Sequence, residues 1–468
     1  MDVSPGAPEF VEDLGGGLVR RWSTAADQEK IGYCLAEAFR RSADDPVDQR
    51  MINRAVTMFS RGFPHMGPGD YAVVEDISLP ERPIVACASL WHQRWSLGGI
   101  PLDAGRPEYV GTMPEYRNRG LVRAVFEMLH ARSSARGDHL QIIFGIPHYY
   151  RQFGYEYAAD IYGERAVYTA LIPPVEAGTT DRYRLRPAGV EDVPHLKALY
   201  DQNRSASLAW AEVSEAEWSY YITAWEDPLL RSLEPGAPGL ARRLYMVVDG
   251  SDTDSDRVFG FACVASRRRD QKLDVHFLQL YPFVNWRAAM PSLLRSLHTA
   301  AEETPAAKGD TAPVRALKLA LGRAHPAYEV VSEKLAPVYE DPYAWYIRVT
   351  NAADFVRHIR PLLERRLASS ILTGHSGELI VDFYRGGLRL EFDSGHLAAA
   401  KPWRPPDYGY HAHAGCPADV LQQLMFGYRS LAELRAIYPD VWAGEEAALL
   451  IDILFPKQPS TVWMHGYT

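Results

Sequence analysis

The chain says the same thing twice. A strand–loop–helix entry, "GGLVRRWSTAADQEKIGYCLAEAF", is followed by two β-branched, alternating runs, "DYAVVED" and "PIVACASLWHQRWSLGGI". After "LIPPVEAGTTD" (Leu171–Asp181), which has the composition of a linker, the pattern restarts with "YRLRPAGVEDVPHLKALYDQN", "RLYMVVDG" and "RVFGFACVAS". Arg186 stands 165 positions after Arg21, and Pro282 stands 168 after Pro114. Two separate segments at nearly one offset argue for a tandem duplication. That constrains the fold more than any single motif does, because whatever the first copy folds into, the second must nearly repeat.

Each copy reads as α/β: a strand and helix, a meander, then further strand–helix steps. In the first copy a strand at Pro107–Thr112 leads to a helix from about Gly120 to Arg136, which Gly137 can stop. "LQIIFGI" is a further strand, and "HYYRQFGYEYA" a short helix and turn. The last third does not repeat the pattern. "FVRHIRPLLERRL" reads as one amphipathic helix, and "GELIVDFYRGGLRLEFDSGHLAAA" as a hairpin turning at Gly386-Gly387. "ADVLQQLMFGYRSLAELRAIYPDVW" and "EEAALLIDILFP" are helical. The expected domains are therefore 1–172, 173–345 and 346–468, in keeping with about one domain per ~150 residues.

Composition narrows the function. A net charge of −9 argues against general nucleic-acid binding and mildly favours cationic small molecules. Cys34, Cys87, Cys263 and Cys416 lie far apart with no CxxC pair, which suits reduced thiols in a cytoplasmic protein. The acidic, Gly/Pro-rich N-terminus does not read as a signal peptide, and no run is apolar enough for a membrane span. His411, His413 and Cys416 lack a second Cys/His pair at zinc spacing, so no metal is expected. Trp91 to Trp95 reads as a strand face rather than a catalytic group.

The stretch with chemical content is "EYVGTMPEYRNRGLVRAVFEML" (Glu108–Leu129). A helix N-terminus offers unpaired N–H groups beside the positive end of the helix dipole, and so suits a phosphate or pyrophosphate. Gly120 lets backbone come close, Pro114 ends the strand, and Arg117, Arg119 and Arg123 add charge at the rim. The plainer reading is an ordinary strand–helix loop with solvated arginines. The second copy, "YPFVNWRAAM", has no glycine at its helix mouth.

"VGTMPEYRNRGLV" resembles the acetyl-CoA loop of the Gcn5-related N-acetyltransferases (GNAT), which show Arg/Gln-x-x-Gly-x-Gly/Ala after a strand. Here the pattern runs Arg117-Asn118-Arg119-Gly120-Leu121-Val122, and Val122 departs from it. A branch resembling the mycobacterial enhanced-intracellular-survival acetyltransferase also carries a large aliphatic residue there. "YYRQFGYE" is similar to the family's second mark, with Tyr150, Gly154 and Tyr155 in register.

That resemblance implies two tandem GNAT folds, the second degenerate, followed by a sterol-carrier-protein-2-like α+β domain, with one acetyl-CoA site per chain. It implies that Val110, Gly111 and Thr112 pair with the pantetheine arm and that one N–H meets the thioester oxygen. Asn118 to Arg123 would hold the pyrophosphate, with Gly145 and Ile146 flanking the arm. Tyr150 would be the acid for the leaving thiolate, unless it packs as a core aromatic and Tyr149 is the exposed one. For the base the resemblance leaves three options: the Thr468 carboxylate, Glu108, or relayed water. Asp44, Asp45 and Phe63 would line an acceptor pocket; solvated charge is the commoner fate of such aspartates. The expected function is N-acetyl transfer to a primary amine, of an aminoglycoside- or polyamine-like molecule or of a protein lysine. A non-catalytic CoA- or lipid-binding protein is the competing class. By the same resemblance the chain would assemble into a homo-oligomer, for which the resemblance suggests a hexamer.

Overall fold

The computed structural model describes residues 3–59, 62–251, 257–307, 312–406 and 411–463. Among these, strands form three sheets. The first has nine strands, along the path Val11–Gly15, Leu18–Trp22, Tyr71–Asp76, Ile84–Leu97, Ile100–Thr112, Leu140–Ile143, Tyr343–Val349 and Glu156–Ile161, with Ala209–Glu212 added beside the far end of Ile84–Leu97. The second has seven, in the order Val338–Glu340, Glu164–Tyr168, Ala316–Leu319, Lys272–Leu280, Val258–Ala265, Arg242–Asp249 and Tyr183–Pro187. No described helix is long and apolar enough to cross a membrane.

The two large sheets trade one strand each. Leu140–Ile143 pairs antiparallel with Tyr343–Val349, which arrives from beyond the second copy. In the second sheet Ala316–Leu319 pairs in the same sense with Glu164–Tyr168, which belongs in sequence to the first. The 172/173 and 345/346 boundaries drawn from composition therefore do not coincide with sheet boundaries. Strand pairing is satisfied by whichever edge is presented, so the linker composition could not disclose the exchange.

Duplication is visible at the level of single hydrogen bonds. Arg21 grips Asp27 through two 2.8 Å bonds, and Asp27 accepts from the Thr24 N–H at the start of the first helix. Arg186 grips Asp192 at 2.6 and 2.9 Å, and Asp192 accepts from the Gly189 N–H. All three pairs of positions differ by 165. Burial opposes ionisation of both aspartates, but the arginine and backbone donors overcome it and hold each carboxyl below its ordinary value.

The last unit adds a five-stranded sheet, in the order His396–Trp403, Gly387–Asp393, Gly377–Asp382, Ala414–Gly415 and Trp442–Ala443. The hairpin turns at Gly386 (φ 134°), as its sequence requires. The helix expected over "FVRHIRPLLERRL" is broken into Ala352–His358 and Arg360–Ala368, because Pro361 has no N–H to continue the ladder. This unit shares one apolar core with the first sheet: Leu362, Phe426 and Leu454 pack in the same cluster as Trp95, Leu140 and Trp345. Leu379, Leu388 and Cys416 line an apolar interstice of only about 10 Å³ inside it.

Replacing Asp27 or Asp192 with Ala removes the bidentate partner of a guanidinium, at a cost of about 1–3 kcal/mol, which urea unfolding will register. The folded-state pKa values are depressed, so this contribution is present above the unfolded aspartate value (about 3.9) and disappears as pH falls through the folded one. The difference between wild type and Asp27→Asn should shrink over that acidic range.

Candidate acyl-transfer site

The site is made by two strands that part company. Ile100–Thr112 and Leu140–Ile143 run parallel and pair only at Ala104↔Leu140 and Gly105↔Gln141. Beyond that point the first strand keeps its antiparallel partner, Ile84–Leu97, on one side only. At the parting, Cys87 faces Gly111 and Ser89 faces Glu108, so Ala88 stands opposite both Tyr109 and Val110. This is a β-bulge, and Tyr109 takes φ +51° to make it. Gly111 is demanded by packing: a Cβ there would lie 3.0 Å from Ala38 and 3.1 Å from Leu35 of the first helix.

The helix Leu121–Ala135 begins at the mouth of this gap. Its N-cap is Gly120 at φ 76°, preceded by Asn118 at φ 63°, and no side chain caps it. The N–H groups of the first turn are thus left for an external acceptor, with no acidic side chain in that turn to oppose an anion. A Cβ on Gly120 would meet nothing of the chain itself within 4 Å, so the glycine answers to backbone conformation and to open space beyond it.

Arg117, Arg119 and Arg123 are exposed at the rim. Arg117 donates to the Ala38 carbonyl at 3.1 Å, Arg119 lies over the Tyr116 ring, and Arg123 lies over Phe153. Tyr116 in turn donates to Asp76 at 2.7 Å, tying the loop to the sheet. Leu121 is buried in the core, whereas Val122 is half-buried.

Across the gap, Gly145 ends the second strand with φ 148° and Ile146 is exposed. A Cβ on Gly145 would sit 3.7 Å from the Tyr150 hydroxyl, so that phenol lies against the parting. The Tyr150 ring is largely buried, packed on Phe126 and Tyr346. Tyr149 is the less buried of the pair, and burial pushes its pKa up. Gln422, from the last unit, donates to the Gly154 carbonyl at 3.1 Å and so steadies the turn after Tyr150.

Glu108 is buried beneath the bulge and takes the Arg106 Nε at 2.7 Å. Arg106 itself is fully buried between the Trp91 and Trp345 rings, 5.1 and 5.0 Å from their centroids. Burial pushes the Glu108 pKa up, and Arg106 only partly offsets it. Phe63 is buried against Trp91 and against Tyr220 of the second copy, and His65 stacks on Trp91. Asp44 and Asp45 stand exposed on the loop between the two N-terminal helices. Thr468 lies outside the described residues. The described chain ends at Trp463, stacked on Trp218, just after Val462 accepts a hydrogen bond from the Trp345 indole.

The second copy has the same parts, closed. Its strand Lys272–Leu280 pairs regularly across Phe277–Leu280 and carries its own register shift just before, where His276 is extra between the Val264↔Val275 and Cys263↔Phe277 pairs. The Asn285 side chain caps the following helix by accepting from the Ala288 N–H. The Leu278 carbonyl, in register with that of Val110, accepts a 2.8 Å bond from the His325 ring, which Trp286 covers edge-on. Burial pushes the His325 pKa down to about 4, so the imidazole is neutral at ordinary pH.

Residues 21–158 match the family model described as an acetyltransferase (GNAT) domain. Solved structures share the whole architecture. A GCN5-related N-acetyltransferase from Anabaena variabilis superposes with TM-score 0.62 at 16% identity, over 95% of this chain and 99% of that one. One from Kribbella flavida gives 0.61 at 16%, over 96% and 98%. Eis1 from Mycobacterium abscessus gives 0.57 at 15%, over 95% and 99%. At such identities the likeness is one of fold. No curated protein sequence matches the chain.

Substituting Gly120 with Val should raise the Kd for coenzyme A by about tenfold or more, because a β-branched residue resists the left-handed conformation and obstructs the helix mouth. Asn285→Ala, in the second copy, should leave that Kd unchanged; isothermal titration checks both.

Proposed function

We propose that the chain transfers acetyl from acetyl-CoA to a primary amine of a cationic small molecule. The observation that carries this is the alignment of three features: a free strand edge at the bulge, an uncapped helix N-terminus in line with it, and a tyrosine hydroxyl at the gap. Acetyl-CoA has a matching part for each. The pyrophosphate would take the first-turn N–H groups of the helix and the rim arginines. The pantetheine amides would pair with Val110–Thr112, and Gly145 and Ile146 would flank them. An N–H at the bulge would bind the thioester oxygen and stabilise the oxyanion.

In the reaction the amine nitrogen attacks the thioester carbonyl, an N–C bond forms and the C–S bond breaks. Tyr150 gives its proton to the leaving thiolate, and the proton of the amine passes to a base. Glu108 is favoured for the base among the described residues, because burial makes its carboxylate more basic than usual. Phe63 packs edge-on against Tyr220 and His65 meets the Tyr221 hydroxyl, so the side chains at this seam are in direct contact. Net charge −9 supports a cation. A protein lysine would need an open groove there instead.

Free-thiol release from acetyl-CoA, measured over aminoglycosides, spermidine and lysine peptides, tests the reading. Release should occur with a small polyamine. Tyr150→Phe should lower kcat by about 100-fold while CoA still binds. Since a base must be deprotonated, the rate should rise with pH through the raised Glu108 pKa, and Glu108→Gln should remove that limb. Tight CoA binding without release to any amine would favour a binding protein.

A further inference from the structure

The turn that follows Leu140–Ile143 is gripped by three tyrosines, none of which lies on it. Tyr343 donates to the Gly145 carbonyl at 3.0 Å. The Tyr157 hydroxyl is 2.9 Å from that of Tyr343 and accepts the His148 N–H at 3.4 Å. Tyr346 reaches the Ile146 carbonyl at 3.5 Å, stacks on Tyr157 at 4.1 Å, and meets the Tyr150 ring edge-on at 5.6 Å. Both ends of the turn and the ring of Tyr150 are thus held by one aromatic cluster. Tyr343 and Tyr346 sit on Tyr343–Val349, the strand that enters the first sheet from beyond the second copy. Burial, and then the Tyr157 phenol, push the pKa of both up, so each stays a proton donor in any ordinary buffer.

We propose that Tyr343 and Tyr346 are positioning residues for acyl transfer. Resting on the reading above, the exchanged strand holds the turn that flanks the pantetheine arm and fixes the Tyr150 phenol at the gap. A phenol must be oriented before it can protonate a thiolate, and a displacement of about 1 Å can cost up to 10²-fold in rate. Duplication then has a catalytic use. The second copy binds no cofactor in this scheme, yet the strand that follows it shapes the site of the first.

The test is a double-mutant cycle on kcat, with spermidine or whichever amine of the panel gives most thiol release as the acceptor, and thiol release as the readout. Tyr346→Ala should lower kcat by about tenfold, whereas adding it to Tyr150→Phe should lower kcat no further. Tyr343→Phe keeps the ring but drops the bond to Gly145; it should raise the KM for acetyl-CoA severalfold, and an unchanged KM would overturn the role given to Tyr343. If Tyr346→Ala reduces kcat by one factor in both backgrounds, its effect does not pass through Tyr150 and the proposal is overturned. A wild-type kcat in Tyr150→Phe would remove the acid and this proposal with it, while leaving CoA binding intact. Absence of thiol release in the wild type would remove the acyl-transfer reading itself. Should Tyr346→Ala fail to fold, Tyr346→Phe is expected to show the same non-additivity at smaller amplitude, and additivity there would equally overturn the proposal.

Discussion

Everything functional here depends on two parallel strands that stop pairing. After Gly105 and Gln141 the strand Ile100–Thr112 keeps a neighbour on only one side. Backbone donors and acceptors away from water require partners, so a parted sheet is an invitation to an extended polar chain. In the first copy the invitation stands. The bulge at Tyr109–Val110 turns the strand edge, Gly111 lets the first helix press close behind it, and Gly120 starts a helix whose N-terminus no described side chain caps. In the second copy, His325 answers the corresponding carbonyl and Asn285 answers the corresponding helix. On the proposed reading, two copies of one fold divide into a site and a scaffold through a few side-chain hydrogen bonds.

The scaffold is not idle. Tyr343–Val349 lies between Leu140–Ile143 and Glu156–Ile161, so the sheet on which Tyr150 depends is completed only after the chain has built its second copy. The last unit contributes as well. Gln422 bonds both Gly154 and the Val349 N–H, and Trp345 is shared between Arg106 and the tail at Val462. All three units meet on the elements behind the gap, which is a physical reason for the architecture to persist in solved structures across nearly the whole of both chains at 15–16% identity.

Much of this was legible in the sequence because it is local. A basic loop with glycine before a helix, and a tyrosine seven residues after a strand, are short-range patterns set by capping and turn chemistry. The duplication was legible through Arg21 and Arg186, and Asp27 and Asp192, at the same offset, were available as a further signal. The strand exchange was not legible, because "YAWYIRV" satisfies the alternation of any strand and its partner lies about two hundred residues away. Nor were Tyr343 and Tyr346 legible as part of the site, since their contacts exist only through that pairing. The break at Pro361 is masked in the sequence by an apolar period that continues across it. Asp44 and Asp45, picked out by charge, stand exposed on a loop.

The central claim is that one copy holds the cofactor and the other cannot. Calorimetric titration of the full chain with coenzyme A tests it most directly. One site per chain, lost when Gly120 is substituted and indifferent to Asn285→Ala, is the result this account requires. Two sites per chain, or one that survives at Gly120 and disappears with changes at Trp286 or His325, would contradict it.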